Sequence, residues 1–121
     1  MIGVEEICRL HEAAMTASGD EPRTLIPSQV ERLKWALELA RVGAIDKPPI
    51  EAIAITSVMI RRVEAWPRGN RRTALVVAAT LMERSGEPHT TDWQEVARAL
   101  DEPPGHLGQA IDQVRCALLP R

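Results

Sequence analysis

Two stretches of this chain, Ile50 to about Ala65 and Thr73 to Met82, are apolar on nearly every side when wound as helices, and a cationic turn, Trp66-Pro67-Arg68-Gly69-Asn70-Arg71-Arg72, joins them. In the first, Ile53, Ala54, Ile55, Val58, Met59 and Ile60 leave little room for a polar face. A helix that is apolar all round is stable only when other elements surround it. Two such helices in succession therefore predict the centre of a helical bundle, and the remaining segments must supply its cover.

The cover is readable. Val4, Ile7, Cys8, His11, Ala14 and Met15 recur at helical spacing, and the pattern fails at Ser18-Gly19-Asp20-Glu21-Pro22. Pro27 and Ser28 introduce a second amphipathic helix with Val30, Leu33, Leu37 and Ala40 on one face and Gly43 as its cap, and Pro48 and Pro49 open the third. Gly86 and Pro88 mark the end of the fourth. Thr91-Asp92-Trp93-Gln94 reads as a capping box for a fifth, which Asp101-Glu102-Pro103-Pro104-Gly105 stops near Leu100. A last helix carries Leu107, Ala110, Ile111, Val114 and Leu118. No alternating strand run stands out, a short hairpin in one linker being the allowed exception, so the fold class is an all-α bundle of about six helices.

At 121 residues the expectation is one domain, 1–121, large enough to bury a core without staples. Its only aromatic residues are Trp35, Trp66 and Trp93, so the core must be aliphatic and no stacking platform for single-stranded nucleic acid is available. Cys8 and Cys116 show no ligand spacing with His11, His89 or His106, which leaves them as buried thiols rather than a zinc site or disulfide. The chain starts with neither a basic lead nor an apolar signal core and has no run of membrane-spanning length, so a cytoplasmic location is the default expectation, with no membrane partner. Net charge is −2, yet residues 61–72 hold five Arg and one Glu, +4, against ten basic and sixteen acidic groups elsewhere, −6. So local a positive potential suits a focused anion site and argues against DNA.

Phosphate is the natural anion for that turn. Gly and Asn let a turn aim several backbone N–H groups at one point, the positive end of the next helix lies there too, and Arg adds forked donors. The turn resembles the signature of the Fic/Doc family, roughly His-x-Phe-x-Asp-(Gly/Ala)-Asn-(Lys/Gly)-Arg-Thr. Gly69, Asn70, Arg72 and Thr73 match in register, while Glu64 stands at the His position, Trp66 at the Phe and Arg68 at the acidic metal ligand. The opening pattern Ile7-Cys8-Arg9-Leu10-His11-Glu12 and the two apolar helices around the motif extend the likeness to the small Doc toxins along most of the chain.

That resemblance implies a compact Fic/Doc-like bundle and an ancestry in ATP-dependent transfer of a phosphoryl or nucleotidyl group to a protein hydroxyl. It also implies ATP or another nucleotide as ligand, elongation factor Tu as a protein target, and a small antitoxin that inserts a helix beside the site. The phosphate- or nucleotide-binding set carried over is Arg68, Gly69, Asn70, Arg71, Arg72 and Thr73, with Glu64 and Arg72 at the catalytic positions. A carboxylate is a weaker base than imidazole by about two pKa units. Glu64 is therefore expected to brace the turn in a salt bridge with Arg68, Arg71 or Arg72. Arg68 replaces a Mg²⁺ ligand with a fixed positive charge, which argues against metal-dependent transfer. Trp66 is expected to anchor the loop, and only secondarily to face an adenine. Arg61 and Arg62 suit the negative end of their helix, Arg62 with a reach toward the anion, and His11 reads as a core or boundary residue.

Three functions compete on these residues. One is a Doc-like toxin or toxin-derived protein of a toxin–antitoxin type system that retains the phosphate loop with transferase activity lost or altered. The alternatives are an active transferase using Glu64 as base with Arg68 in place of metal, and a non-catalytic protein-interaction or structural module in which the turn merely holds the bundle together and the Arg cluster meets an acidic protein surface.

Overall fold

A computed structural model describes residues 2–86, 91–101 and 105–119. Six helices run through them: α1 (Val4–Ala17), α2 (Pro27–Gly43), α3 (Pro49–Val63), α4 (Asn70–Ser85), α5 (Trp93–Leu100) and α6 (Leu107–Leu118). Proline opens α2 and α3 at the first helical position, where no amide hydrogen is needed. Ile26 precedes Pro27 and donates its N–H to Gln29 Oε1 at 2.9 Å. No strand occurs among the described residues, so the hairpin allowed for a linker does not form there.

α3 occupies the centre, packed against α2, α4 and α6 and touching α5. Its run from Ile53 to Val58, with Ile60, is buried. The two hydroxyls in that run are accommodated without distant partners: Thr56 donates to the Ala52 carbonyl at 2.9 Å and Ser57 to that of Ile53 at 2.7 Å, one helical turn back. α1 lies on α4 and α2, burying Ile7, His11, Ala14 and Met15, while α5 and α6 close the other end with Val96, Leu100, Val114 and Leu118. No helix among the described residues is long and apolar enough to cross a membrane.

Several boundaries differ from the sequence expectation. Gly43 is the last helical residue of α2 and the cap is Ala44; the chain reverses at Asp46, whose φ is 61°. α5 is capped by Asp92 rather than Thr91, because the Asp92 carboxylate accepts from the amides of both Gln94 and Glu95. The Thr91 hydroxyl turns instead toward the Leu118 carbonyl at 3.4 Å. Gly86 caps α4 as expected, with φ 69°; Pro88, His89 and Glu102 to Pro104 lie outside the described residues. The cysteines are not the buried thiols anticipated. Cys8 is half-buried, and Cys116 is exposed, since burying Val114 and Leu118 turns the position between them outward.

Candidate functional site

The cationic turn is shaped by two left-handed residues. α3 ends at Val63, and Glu64 (φ 46°) reverses the chain so that Ala65 and Trp66 drop into the core; Gly69 (φ 83°) then launches α4. The Trp66 indole N–H donates to the Arg23 carbonyl at 3.1 Å, tying the turn to the segment before α2. Asn70 closes the turn on itself: its Oδ1 accepts from Trp66 N–H at 3.2 Å and its Nδ2 donates to Trp66 O at 2.6 Å.

From beneath, the turn rests on α1. The His11 imidazole stacks on the Trp66 indole, ring centroids 4.1 Å apart and planes within 8°. Its Nδ1 is 2.9 Å from Thr73 Oγ1, and Thr73 in turn donates to the Gly69 carbonyl at 2.8 Å. With the hydroxyl proton spent on Gly69, Nδ1 must be the protonated nitrogen, and Nε2 is left as a buried lone pair without a partner. Burial first, and then the Arg72 charge, hold the His11 pKa below the ordinary histidine value. Neutral His11 is thus a fixed support of the turn.

The upper surface is open. The Gly69 cap brings no side chain to the first amides of α4, at the positive end of the helix dipole. Gly69, Asn70 and Arg71 border a cavity of about 580 Å³ whose walls also include Arg32, Arg61 and Arg68, together with Glu64. Arg61 is held in place by the Leu100 carbonyl at 3.1 Å and Arg32 by the Val63 carbonyl at 2.5 Å. Arg71 pairs with Asp101 at 3.2 Å, both exposed, and the exposed Arg68 with the half-buried Asp20 at 3.8 Å, so neither guanidinium is tightly held and each can turn to another anion.

Of the residues singled out in the sequence, Glu64, Arg68, Gly69, Asn70 and Arg71 come together around this cavity, with Asn70 committed to the Trp66 backbone. Thr73 points down to His11, and Arg72 is engaged by Asp20 at 2.5 Å. Two expectations are corrected. Glu64 pairs with Arg61 at 3.3 Å, one turn back on α3, not with Arg68, Arg71 or Arg72; Asp20 and Asp101 take those guanidinium groups. Arg62 does not turn toward the anion: it donates to the Gly105 carbonyl at 2.7 Å, and Arg61 and Arg32 face the cavity. The contributions of His11, Asp20 and Arg32 come from segments 30 to 60 residues away in the chain, with no motif to mark them.

The residues fit Mg²⁺ poorly. The charged groups of the cavity wall are mostly guanidinium, the nearby Glu64 and Asp20 carboxylates are paired with Arg, and the described residues hold no group of three or more metal-ligating side chains. In comparisons with known proteins, no family model, no curated protein and no solved structure matches the chain.

Proposed function

We propose that this protein is a Fic/Doc-like, toxin-derived phosphate- or nucleotide-binding protein whose transferase chemistry has been lost or altered. The observation that carries the reading is the uncapped start of α4, which opens onto a cavity walled by Arg32, Arg61, Arg68 and Arg71. Backbone amides at a helix N-terminus with convergent guanidinium groups recognise phosphate oxygens, and the cavity has room for a mononucleotide. The motif likeness at Gly69, Asn70, Arg72 and Thr73 supports the same reading, with the protein target and the helix-donating partner inherited from the resemblance. Glu64 is mostly exposed and its carboxylate is paired with Arg61 at 3.3 Å.

The test has two stages. Titration with ATP, ADP and inorganic phosphate, followed as a rise in melting temperature, should show saturable stabilisation, lost in a protein carrying both Arg68→Ala and Arg71→Ala. Asp20→Asn, which frees Arg68 and Arg72, should tighten binding. Absence of any stabilisation at millimolar ligand would leave the non-catalytic interaction module as the better reading. Incubation with cell extract and ATP labelled at the α or γ phosphate then reads chemistry: the proposal expects no label in protein, and transfer abolished by Glu64→Ala would establish the active alternative.

A further inference from the structure

α2 carries two apolar faces, and the bundle uses one. Leu33, Ala36 and Ala40 are buried against the core. On the opposite side Trp35 (66% exposed), Leu39 and Val42 follow one another at i, i+4 and i+7, a continuous stripe facing solvent. Trp35 stands as a ridge between two shallow hollows. One, of about 460 Å³, includes Leu39, Met59 and the exposed Leu107; the other, of about 560 Å³, includes Leu37, Ile2 and Val4. A ridge flanked by hollows with room for a side chain is a shape that can fit itself.

The charges along one edge of the stripe say how. Glu31, Lys34, Glu38 and Arg41 alternate in sign, and they are joined in exposed pairs within the helix, Glu31 with Lys34 at 3.6 Å and Glu38 with Arg41. Read backwards, the series minus, plus, minus, plus becomes plus, minus, plus, minus. An identical helix laid antiparallel, centred beside Ala36, therefore sets Glu31 against Arg41 of the other copy and Lys34 against its Glu38. In a parallel two-fold pair the two charged edges would lie on opposite sides of the interface and would not meet. The same register brings Trp35 level with Leu37 of the second copy, at the mouth of the larger hollow. Exposed i, i+3 pairs contribute little to the monomer, so exchanging them across an interface costs little, and the burial of Trp35, with Leu39 beside it, supplies the driving force.

We propose that the outer face of α2 is a homodimer interface in which two copies pack antiparallel about a two-fold axis beside Ala36, anchored by Trp35. Such an interface is isologous, each patch meeting itself, as in most small homo-oligomers. It adjoins the anion cavity at Arg32, which lines both that cavity and the smaller hollow.

Sedimentation equilibrium of the full chain over a concentration series through the micromolar range tests it. The wild type should pass from monomer to dimer, and Trp35→Ala, a change at an exposed position that leaves the circular dichroism unchanged, should raise the dissociation constant by roughly tenfold or more. Charge reversal tests the register. Glu31→Lys with Glu38→Lys makes the edge wholly positive, and Lys34→Glu with Arg41→Glu makes it wholly negative; each variant alone should stay monomeric, and an equimolar mixture should form a heterodimer. A wild type that stays monomeric throughout would assign the face to an unlike partner and overturn the proposal. Dimers indifferent to Trp35→Ala, or a mixture of the two charge variants that remains monomeric, would overturn it equally.

Discussion

His11 and Thr73, 62 residues apart, meet through a 2.9 Å contact beneath the cationic turn; because Thr73 spends its own proton on Gly69, Nδ1 of the ring carries a proton, and burial followed by the Arg72 charge disfavours a second one. The turn thus depends on the protonation state of a buried ring.

Stability should consequently fall in mild acid. The folded-state pKa of His11 lies below its unfolded value of about 6.5, so below that pH the unfolded chain binds a proton that the native state refuses. The stabilisation is full above about pH 6.5 and is lost progressively as pH drops toward the folded pKa. Urea midpoints measured at pH values from about 7.5 to about 5 should decline, and in His11→Gln that decline should be smaller. An equal slope in both proteins would mean that other groups govern the acid limb.

Asn70→Ala should destabilise the protein by about 2–3 kcal/mol, because it strands the N–H and C=O of the buried Trp66 together. The corresponding fall in Tm is roughly 8 °C or more. Asn70→Asp keeps the acceptor for Trp66 N–H and loses the donor to its carbonyl, so it should also lower Tm. Calorimetry of the three proteins checks the order, with wild type highest.

Gly69→Ala meets two obstacles. Its φ of 83° disfavours any side chain, and a Cβ there would lie 2.4 Å from Met15 Sδ. Backbone strain alone costs about 1–2 kcal/mol. Met15 can move but is buried, so the combined loss should exceed that figure. Pairing the change with Met15→Ala removes the clash and leaves the strain; a double-mutant cycle in urea should therefore show coupling between the two sites.

Glu64→Gly should do the reverse. Glu64 occupies the left-handed region at φ 46°, its side chain is largely exposed, and its ion pair with Arg61 is weak. Relief of strain, offset by the greater freedom of Gly in the unfolded chain, should stabilise by up to about 1 kcal/mol. The same change removes a negative charge from the cavity wall, so phosphate should bind more tightly. Thermal melts with and without phosphate read both effects, and a variant less stable than wild type would mean that the Arg61 pair outweighs the strain.

The order of the helices was legible because apolar periodicity and Pro or Gly punctuation act locally: α1 and α6 lie where Val4–Met15 and Leu107–Leu118 place them, and α3 follows the stretch from Ile50 to about Ala65 except that it ends two residues sooner, at Val63, before the left-handed Glu64. The cap of α5 was misplaced by one residue because Thr91 and Asp92 both have capping side chains, and only the backbone direction decides between them. At the turn, Trp66 as a loop anchor could be read from its place in the motif, while its partner His11 could not. Nor could the choice of Asp20 over Glu64 as partner of Arg72, since the sequence shows which charges exist but not which loop folds over which. Arg32 carried no local signal: on α2 it reads as one more solvated charge, and the crossing of α2 over the end of α3 brings it to the Val63 carbonyl.

The stack of α1 beneath the turn assigns the two ends of the site to different stretches of chain. The groups that would grip an anion belong to Arg32 and to residues 61–72, but the surface on which that loop is moulded is provided by residues 11–20. A fragment beginning at α2 would keep every arginine of the cavity and α3 at its centre, yet it would have nothing to hold Trp66 flat or Gly69 in register. Binding would then fail ahead of helicity, so the leading helix is better regarded as a tool of recognition than as cladding for the bundle.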